Sequence, residues 1–285
     1  MKTVATRGEL RAAVATARAR GARIGLVPTM GYLHEGHLSL VDVARASADW
    51  VVMSIFVNPL QFGAGEDLER YPRDLARDTA LAQGRGVDLI FAPAAAEMYP
   101  AGEPLVRVVA GPLADRLCGA YRPGHFEGVL TVVAKLFNLV QPDVAVFGRK
   151  DFQQSVLIRR MARDLDFALA VVVADTVRED DGLALSSRNV YLSPEGRGSA
   201  QALARALRAA ADAFARGERE PRRLLSTARA ILAAEAGVRT QYLELVDPDS
   251  LERLDAIGRP ARAGDTMAVA AFVGATRLID NVVLT

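Results

Sequence analysis

Residues 28–37 read PTMGYLHEGH and hold two of the chain's three histidines, His34 and His37, with a glutamate and a glycine between them. Such a pair suits zinc ligation, phosphate binding, or the capping of a turn. A zinc helix of the H-E-x-x-H kind needs its histidines four apart, with the glutamate as base. Here they are three apart, and a three-histidine site would have to recruit His125, the only other histidine. Phosphate explains more of the neighbourhood. A strand-like run, GLVPT, ends; a loop turns at Gly31; a helix begins near Gly36-His37. A helix N-terminus offers free N–H groups and a positive dipole end to an anion, and two imidazoles there add donors. Gly31 and Gly36 let backbone approach a ligand, and Gly31 is placed to take a positive φ. Capping or surface roles for both histidines stay open on this motif alone.

Four more polar clusters stand beside apolar runs. IFVNPLQF (55–62) sets Asn58 and Gln61 just past a strand, where amides that donate and accept suit a hydroxylated carboxylate. VFGRKDFQQ (146–154) is again strand, glycine and polar helix start. Lys150 brings a point charge for phosphate, Asp151 a helix cap, and Gln154 an amide one turn on. LALSSRNVYLS (183–193) packs Ser186, Ser187 and Arg188 into a loop, either donors for a polyphosphate or a serine turn beside a solvated arginine. YRPGHF (121–126) sets Arg122 and His125 in a Pro-Gly turn. No Ser-His-Asp or Cys-His set accompanies them, so donors and cations dominate.

The elements that carry these clusters alternate. Helices are expected over 7–20, 37–48, 72–85, about 127–140 and 151–164. Strands are expected over 22–29, stopped by Pro28, and over 50–57, 87–93, 105–109 (LVRVV), 143–148 and 168–177. Fully apolar strands between helices predict an α/β fold with a doubly wound, parallel, Rossmann-like sheet buried on both faces. After about residue 178 the texture changes. Residues 194–236 read as two helices broken at Arg216-Gly217-Glu218, followed by strands at 241–246, 266–274 and 276–284. That pattern predicts a smaller α+β domain and a division into residues 1–177 and 178–285.

Charge and composition limit the partners. A net charge of +1 gives no reason to expect nucleic acid. The one cysteine, Cys118, excludes an internal disulfide, fits a reducing compartment, and is expected to pack without a catalytic role. No apolar run reaches the roughly 18 to 20 residues that span a bilayer. The Arg-rich N-terminus contains Glu9 and no apolar leader core. A cytoplasmic protein without nucleic-acid or membrane partners is expected.

In this order and at these separations, PTMGYLHEGH, FVNPLQF, RPGHFEGV, FGRKDFQQ and LSSRN closely resemble the pantoate–β-alanine ligase family. HEGH and LSSRN also resemble the HIGH and KMSKS elements of the wider nucleotidyltransferase superfamily. The resemblance implies that ATP converts the carboxylate of (R)-pantoate into pantoyl adenylate, releasing pyrophosphate, and that the amine of β-alanine then displaces AMP to give pantothenate. It implies an ATP site of Met30, Gly31, Tyr32, Leu33, His34, Glu35, Gly36 and His37. Gly148, Arg149, Lys150, Asp151, Val177, Leu185, Ser186, Ser187 and Arg188 complete that site. His37 is the implied proton donor, with His34 and Lys150 stabilising phosphate charge. Gln61 and Gln154 are implied to hold pantoate, Gln61 also neighbouring β-alanine, and Asn58 to support that substrate pocket.

Mg²⁺ is implied to arrive with ATP, keeping several waters, with Asp78 a candidate carboxylate nearby. Arg149 departs from the glutamate of many relatives and changes the charge beside the nucleotide. The smaller domain is implied to close as a lid that keeps water from the adenylate, and a homodimer is implied. Three alternatives remain at this level: a nucleotidyltransferase with a stable adenylylated product, a three-histidine metal hydrolase, and a nucleotide-binding module without turnover.

Overall fold

The computed structural model describes residues 1–285. In chain order the elements begin with β1 (Lys2–Val4), α1 (Arg7–Ala19), β2 (Ile24–Thr29), α2 (Glu35–Arg45), β3 (Trp50–Ile55) and α3 (Leu75–Gly84). They continue with β4 (Leu89–Phe91), α4 (Ala95–Met98), α5 (Leu117–Tyr121), α6 (His125–Val140), β5 (Val144–Gly148) and α7 (Phe152–Asp164). After β6 (Ala170–Ala174) come α8 (Pro194–Ala215), α9 (Pro221–Ala233) and β7 (Val238–Val246). The chain closes with α10 (Leu254–Ile257), β8 (Thr266–Val273) and β9 (Thr276–Val283). One unit comprises Met1–Ala114, Arg122–Gly148 and Leu157–Asp175; the other comprises Asp115–Tyr121, Arg149–Val156 and Thr176–Thr285.

The first unit is built on a six-stranded parallel sheet of order β1-β4-β3-β2-β5-β6. Successive strand residues point to opposite faces, so Val27, Val51 and Met53 share one face while Leu26 and Val52 share the other. The first set packs with Leu38, Val41 and Ala44 of α2 in one core cluster. The second set is equally buried, although it lies on the opposite side. Burial on both faces is why these strands read as unbroken apolar runs, and the expected α/β sheet is what forms. Gly25 is needed at the α2 face, because a Cβ there would stand 3.0 Å from Ala48 Cβ. From β2 the chain moves outward through β3 and β4, then restarts across β2 with β5. That reversal lies between β2 and β5, and ligands of such sheets bind outside the carboxyl ends at this point.

The second unit contains an antiparallel sheet of order β7-β8-β9. The apolar stripes of α8 and α9 bury Leu203, Leu207, Phe214 and Leu224 against Leu245, Met267 and Val269 of β7 and β8. Two helices followed by three antiparallel strands form the α+β texture expected after residue 178.

Two local expectations need correction, and one strand carries no sequence signal. Pro28 does not stop β2; it lies within the strand, opposite Ser54 of β3. The β2–β5 ladder ends at Leu26, so on that side an N–H at position 28 has no bond to make. LVRVV (105–109) is not a strand. Its one backbone bond to the fold is from Val108 N to Thr131 Oγ1 at 3.1 Å, and Leu105, Val106 and Val109 are exposed. Alternation and β-propensity need a partner edge, and no strand of this sheet pairs with the segment. Finally, three residues too few to show a period, Lys2–Val4, form β1 on the edge beside β4.

Asp143 ties three elements at the start of the sheet. Its Oδ2 accepts from Ile24 N and from Arg18 Nη1, each at 2.6 Å. Burial raises its pKa, but the Ile24 N–H and the Arg18 guanidinium outweigh burial and hold the carboxyl below the usual value. A depressed folded-state pKa stabilises the fold above the unfolded value of about 3.9, and this stabilisation disappears as pH falls through the folded value. Asp143→Ala is expected to cost about 1–3 kcal/mol at neutral pH, read as a lower urea midpoint, with the difference from the unaltered chain shrinking below about pH 4. An equal difference at neutral and acid pH would contradict this role.

Candidate active site

The chain leaves β2 through a turn that two residues make left-handed, Gly31 at φ 82° and Tyr32 at φ 51°. Asp78, in the first turn of α3, holds this turn. Its Oδ2 accepts from Tyr32 N and its Oδ1 from Leu33 N, both at 2.7 Å. A Cβ on Gly31 would stand 2.9 Å from the same carboxylate, so glycine is required there. Burial is the largest influence on Asp78 and raises its pKa; the two N–H bonds and nearby Arg77 oppose that rise only in part. Arg77 also lies over the Tyr32 ring, 5.1 Å from its centroid.

The turn delivers His34 to the N-cap of α2 and His37 to its third helical position. Capping boxes usually pair a hydroxyl residue with a glutamate; here two imidazoles do the work. His34 Nδ1 accepts from Gly36 N at 3.1 Å, and His37 Nδ1 accepts from His34 N at 3.4 Å. A ring nitrogen that accepts carries no proton, so each ring bears its proton on Nε2. The ring centroids are 4.0 Å apart. The capping and phosphate readings of the sequence are therefore compatible. Nδ1 caps, and Nε2–H is a donor at the N-terminus of a helix.

Past β3, Asn58 caps a 3₁₀ turn of Pro59–Gln61. Gln61 Nε2 lies 3.1 Å from Met30 Sδ, so this turn and the end of β2 meet. Gln61 O accepts from His125 Nδ1 at 2.8 Å and from Arg122 Nη2 at 3.2 Å. With Nδ1 donating, His125 Nε2 is the acceptor for Arg122 Nη1 at 2.9 Å. Arg122 also forks onto Glu66, at 2.7 and 2.5 Å. Burial raises the Glu66 pKa, but the Arg122 hydrogen bond and charge outweigh it and keep the carboxyl below its usual value. Both nitrogens of His125 are thus engaged, and no group of three His, Cys, Asp or Glu side chains could hold a metal. The three-histidine zinc site is not formed.

In the second unit, Lys150 lies in a 3₁₀ turn, Arg149–Asp151, that runs into α7. Asn281 of β9 fixes this turn, its Nδ2 donating to Arg149 O at 2.9 Å and to Lys150 O at 3.0 Å. Lys150 Nζ is 3.7 Å from Asp151 Oδ1. Val177 O accepts from Leu185 N at 3.0 Å, so these two expected site residues meet. Ser186 Oγ accepts from Arg188 N at 3.2 Å and caps the 3₁₀ turn Ser187–Tyr191. Gln154 is half-buried on α7, whereas its neighbour Gln153 is buried and donates to Arg116 O at 2.7 Å. Cys118 is buried beside the Tyr242 hydroxyl, 3.1 Å away.

Three contributors carry no sequence signal: Glu66, Asn281, and Tyr99, whose hydroxyl donates to Asn58 Oδ1 at 2.8 Å. Each acts through a partner distant in the chain, and no local spacing marks them. Asp78 was expected near a metal, whereas both its oxygens are occupied by backbone N–H groups. Asp78→Asn would set an amide N–H₂ against one of those N–H donors. It is expected to cost about 1–3 kcal/mol and to speed amide exchange at Tyr32 and Leu33 by about tenfold or more. Unchanged exchange at these two amides would contradict the clamp.

The pantoate-beta-alanine ligase family model matches residues 2–283. Pantothenate synthetase 1 of Bradyrhizobium diazoefficiens is 57% identical over 285 residues, covering 100% of this chain and 98% of that protein. The pantothenate synthetase of Moorella thermoacetica is 55% identical over 285 residues, covering 100% and 99%. A crystal structure of the Thermus thermophilus pantothenate synthetase superposes with a TM-score of 0.93 at 52% identity, covering 100% of this chain and 99% of that one. The Francisella tularensis pantoate-beta-alanine ligase, crystallised with beta-gamma ATP and beta-alanine, superposes at 0.80 with 30% identity, covering 99% and 97%. With a parallel sheet that reverses order between β2 and β5, a histidine-capped helix after β2, and a match over nearly its whole length, the chain belongs to the pantoate-beta-alanine ligase family.

Proposed function

We propose that this chain condenses (R)-pantoate with β-alanine at the expense of ATP, through a pantoyl adenylate. The observation that carries the assignment of residues is the histidine capping box of α2, which orients two imidazoles at a helix N-terminus. A pantoate carboxylate oxygen attacks the α-phosphorus, and the bond to pyrophosphate breaks. The amine of β-alanine then attacks the acyl carbon, loses a proton, and releases AMP. No protein nucleophile is needed, so catalysis rests on positioning and charge stabilisation.

Met30 to His37 and Gly148 to Asp151 bind ATP in this reading, with Val177 and Leu185 to Arg188. His34 and His37 donate Nε2–H to phosphate oxygens as pyrophosphate departs, with His37 the proton donor, and Lys150 supplies a positive charge. Gln61 and Gln154 hold pantoate. Asn58 supports Gln61 from behind. We propose residues 1–177 and 178–285 as the two domains, although Asp115–Tyr121 and Arg149–Val156 group with Thr176–Thr285, the part that contributes the Ser186–Arg188 loop. Mg²⁺ would come as part of the nucleotide. The side chains form no cage for it, and Asp78 has no oxygen free of the backbone, so no step is assigned to the ion.

We further propose a homodimer, for which the exposed apolar run Leu105, Val106 and Val109 offers surface that a second subunit would cover. No helix is long and apolar enough to cross a membrane. A cytoplasmic location fits the single, buried cysteine.

The test is product analysis. Pyrophosphate is expected with ATP and pantoate alone, and AMP and pantothenate in equal amounts once β-alanine is added. A stable adenylylated product that β-alanine does not consume would defeat the reading in favour of a plain nucleotidyltransferase. His37→Ala and Lys150→Ala are each expected to lower kcat by about a hundredfold or more with the thermal midpoint little changed. Unchanged kcat in either would remove that residue from the machinery.

A further inference from the structure

Asn58 is 1% exposed, and every hydrogen-bonding position of its amide is committed. Gly128 O lies 3.1 Å from one terminal atom, and Leu60 N lies 3.4 Å from the other. A carbonyl only accepts and a peptide N–H only donates. These two backbone groups therefore allow one orientation, Nδ2 toward Gly128 and Oδ1 toward Leu60. The second proton on Nδ2 meets Gln61 Oε1 at 3.2 Å. The second lone pair of Oδ1 takes the Tyr99 hydroxyl at 2.8 Å. Burial pushes the Tyr99 pKa upward, so that hydroxyl keeps its proton and remains a donor.

The constraint passes on to Gln61. Its Oε1 is turned to Asn58, so its Nε2 is turned the other way, where it meets only the weak thioether acceptor of Met30 within the fold. Nothing in this chain lets the amide turn round without setting two N–H groups against each other. The frame is stiff as well. Gly128 of α6 lies so close to the 3₁₀ turn that a Cβ on it would stand 2.3 Å from Leu60 O.

We propose that Asn58 is a positioning residue, oriented by Gly128, Leu60 and Tyr99, that fixes the Gln61 amide with its N–H₂ toward the substrate. The site thereby selects an acceptor, a carboxylate or hydroxyl oxygen, and rejects a donor such as an amine at that position. This rests on the reading of Gln61 as a pantoate-binding residue.

A double-mutant cycle tests it, with pantoate and ATP binding measured by calorimetry and folding followed by the thermal midpoint. An aspartate at 58 cannot donate to Gln61 Oε1, so the glutamine amide reverses and turns its oxygen to the substrate carboxylate. Asn58→Asp is expected to weaken pantoate binding by about tenfold to a hundredfold, the worth of a hydrogen bond to a charged group, with ATP affinity held. In a Gln61→Ala background the same substitution is expected to cause no further loss, because its effect travels through the missing amide. A residue that only supports the fold would cause the same loss in both backgrounds, and that result overturns the relay while leaving Gln61 in its role. Tyr99→Phe is expected to give a smaller loss that also vanishes in the Gln61→Ala background, and it serves if Asn58→Asp does not fold. Unaltered pantoate binding by Gln61→Ala itself would remove Gln61 from the site and the relay with it.

Discussion

The N-terminus of α2 can present two histidines only if the chain reverses within three residues of leaving β2. That reversal puts Tyr32 at φ 51°, a region that L side chains enter at a cost of about 1–3 kcal/mol. What holds it there is a buried carboxylate, that of Asp78, with both oxygens on backbone N–H groups at 2.7 Å. Hydrogen bonds to a charged group contribute about 1.5–3 kcal/mol each, enough to offset the strain of the turn. The carboxylate in turn needs α3 to bring it there and Gly31 to leave it room. Everything downstream follows in register: His34 at the N-cap, His37 one turn on, and a helix N-terminus at the carboxyl edge of the sheet.

The chemistry follows from which atoms this arrangement leaves as donors. Capping through both Nδ1 atoms sets the orientation of each imidazole by backbone and places its proton on Nε2. Such donors cost no reorganisation when charge grows on a departing phosphate, which is the condition for efficient electrostatic stabilisation. The same economy recurs at the second polar cluster, where Arg122 and His125 both turn onto the backbone carbonyl of Gln61. In the other unit, Asn281 holds the carbonyls of Arg149 and Lys150 and so sets where the lysine leaves the backbone. In each case one layer of side chains is used to aim another.

Much of this was legible in the residues. Apolar runs such as WVVMSIFV predicted buried parallel strands because both faces of the sheet are covered. Glycines at 31 and 36 marked the turn, and the five motifs carried the family. What sequence could not show is what depends on partners far along the chain. LVRVV has the alternation of a strand, yet pairing is decided by an edge that the segment lacks. Asp78 looked like a candidate metal carboxylate because its type fits, and only its two backbone partners reveal a clamp. Tyr99 sits 41 residues from Asn58, and nothing in its local sequence points to that bond. Capping by histidine was one open reading of the motif, but the usual signature is serine or threonine with glutamate, and only the two Nδ1 bonds decide it.

The central claim is that this site activates a carboxylate by transferring it to the α-phosphorus of ATP. Pantoate labelled with oxygen-18 in its carboxylate, incubated with ATP, β-alanine and the protein, tests that claim most directly. Mass spectrometry is expected to find one labelled oxygen in every AMP released, because the carboxylate oxygen that attacked phosphorus leaves with it. AMP free of label, with the heavy oxygen in inorganic phosphate or in water instead, would contradict it.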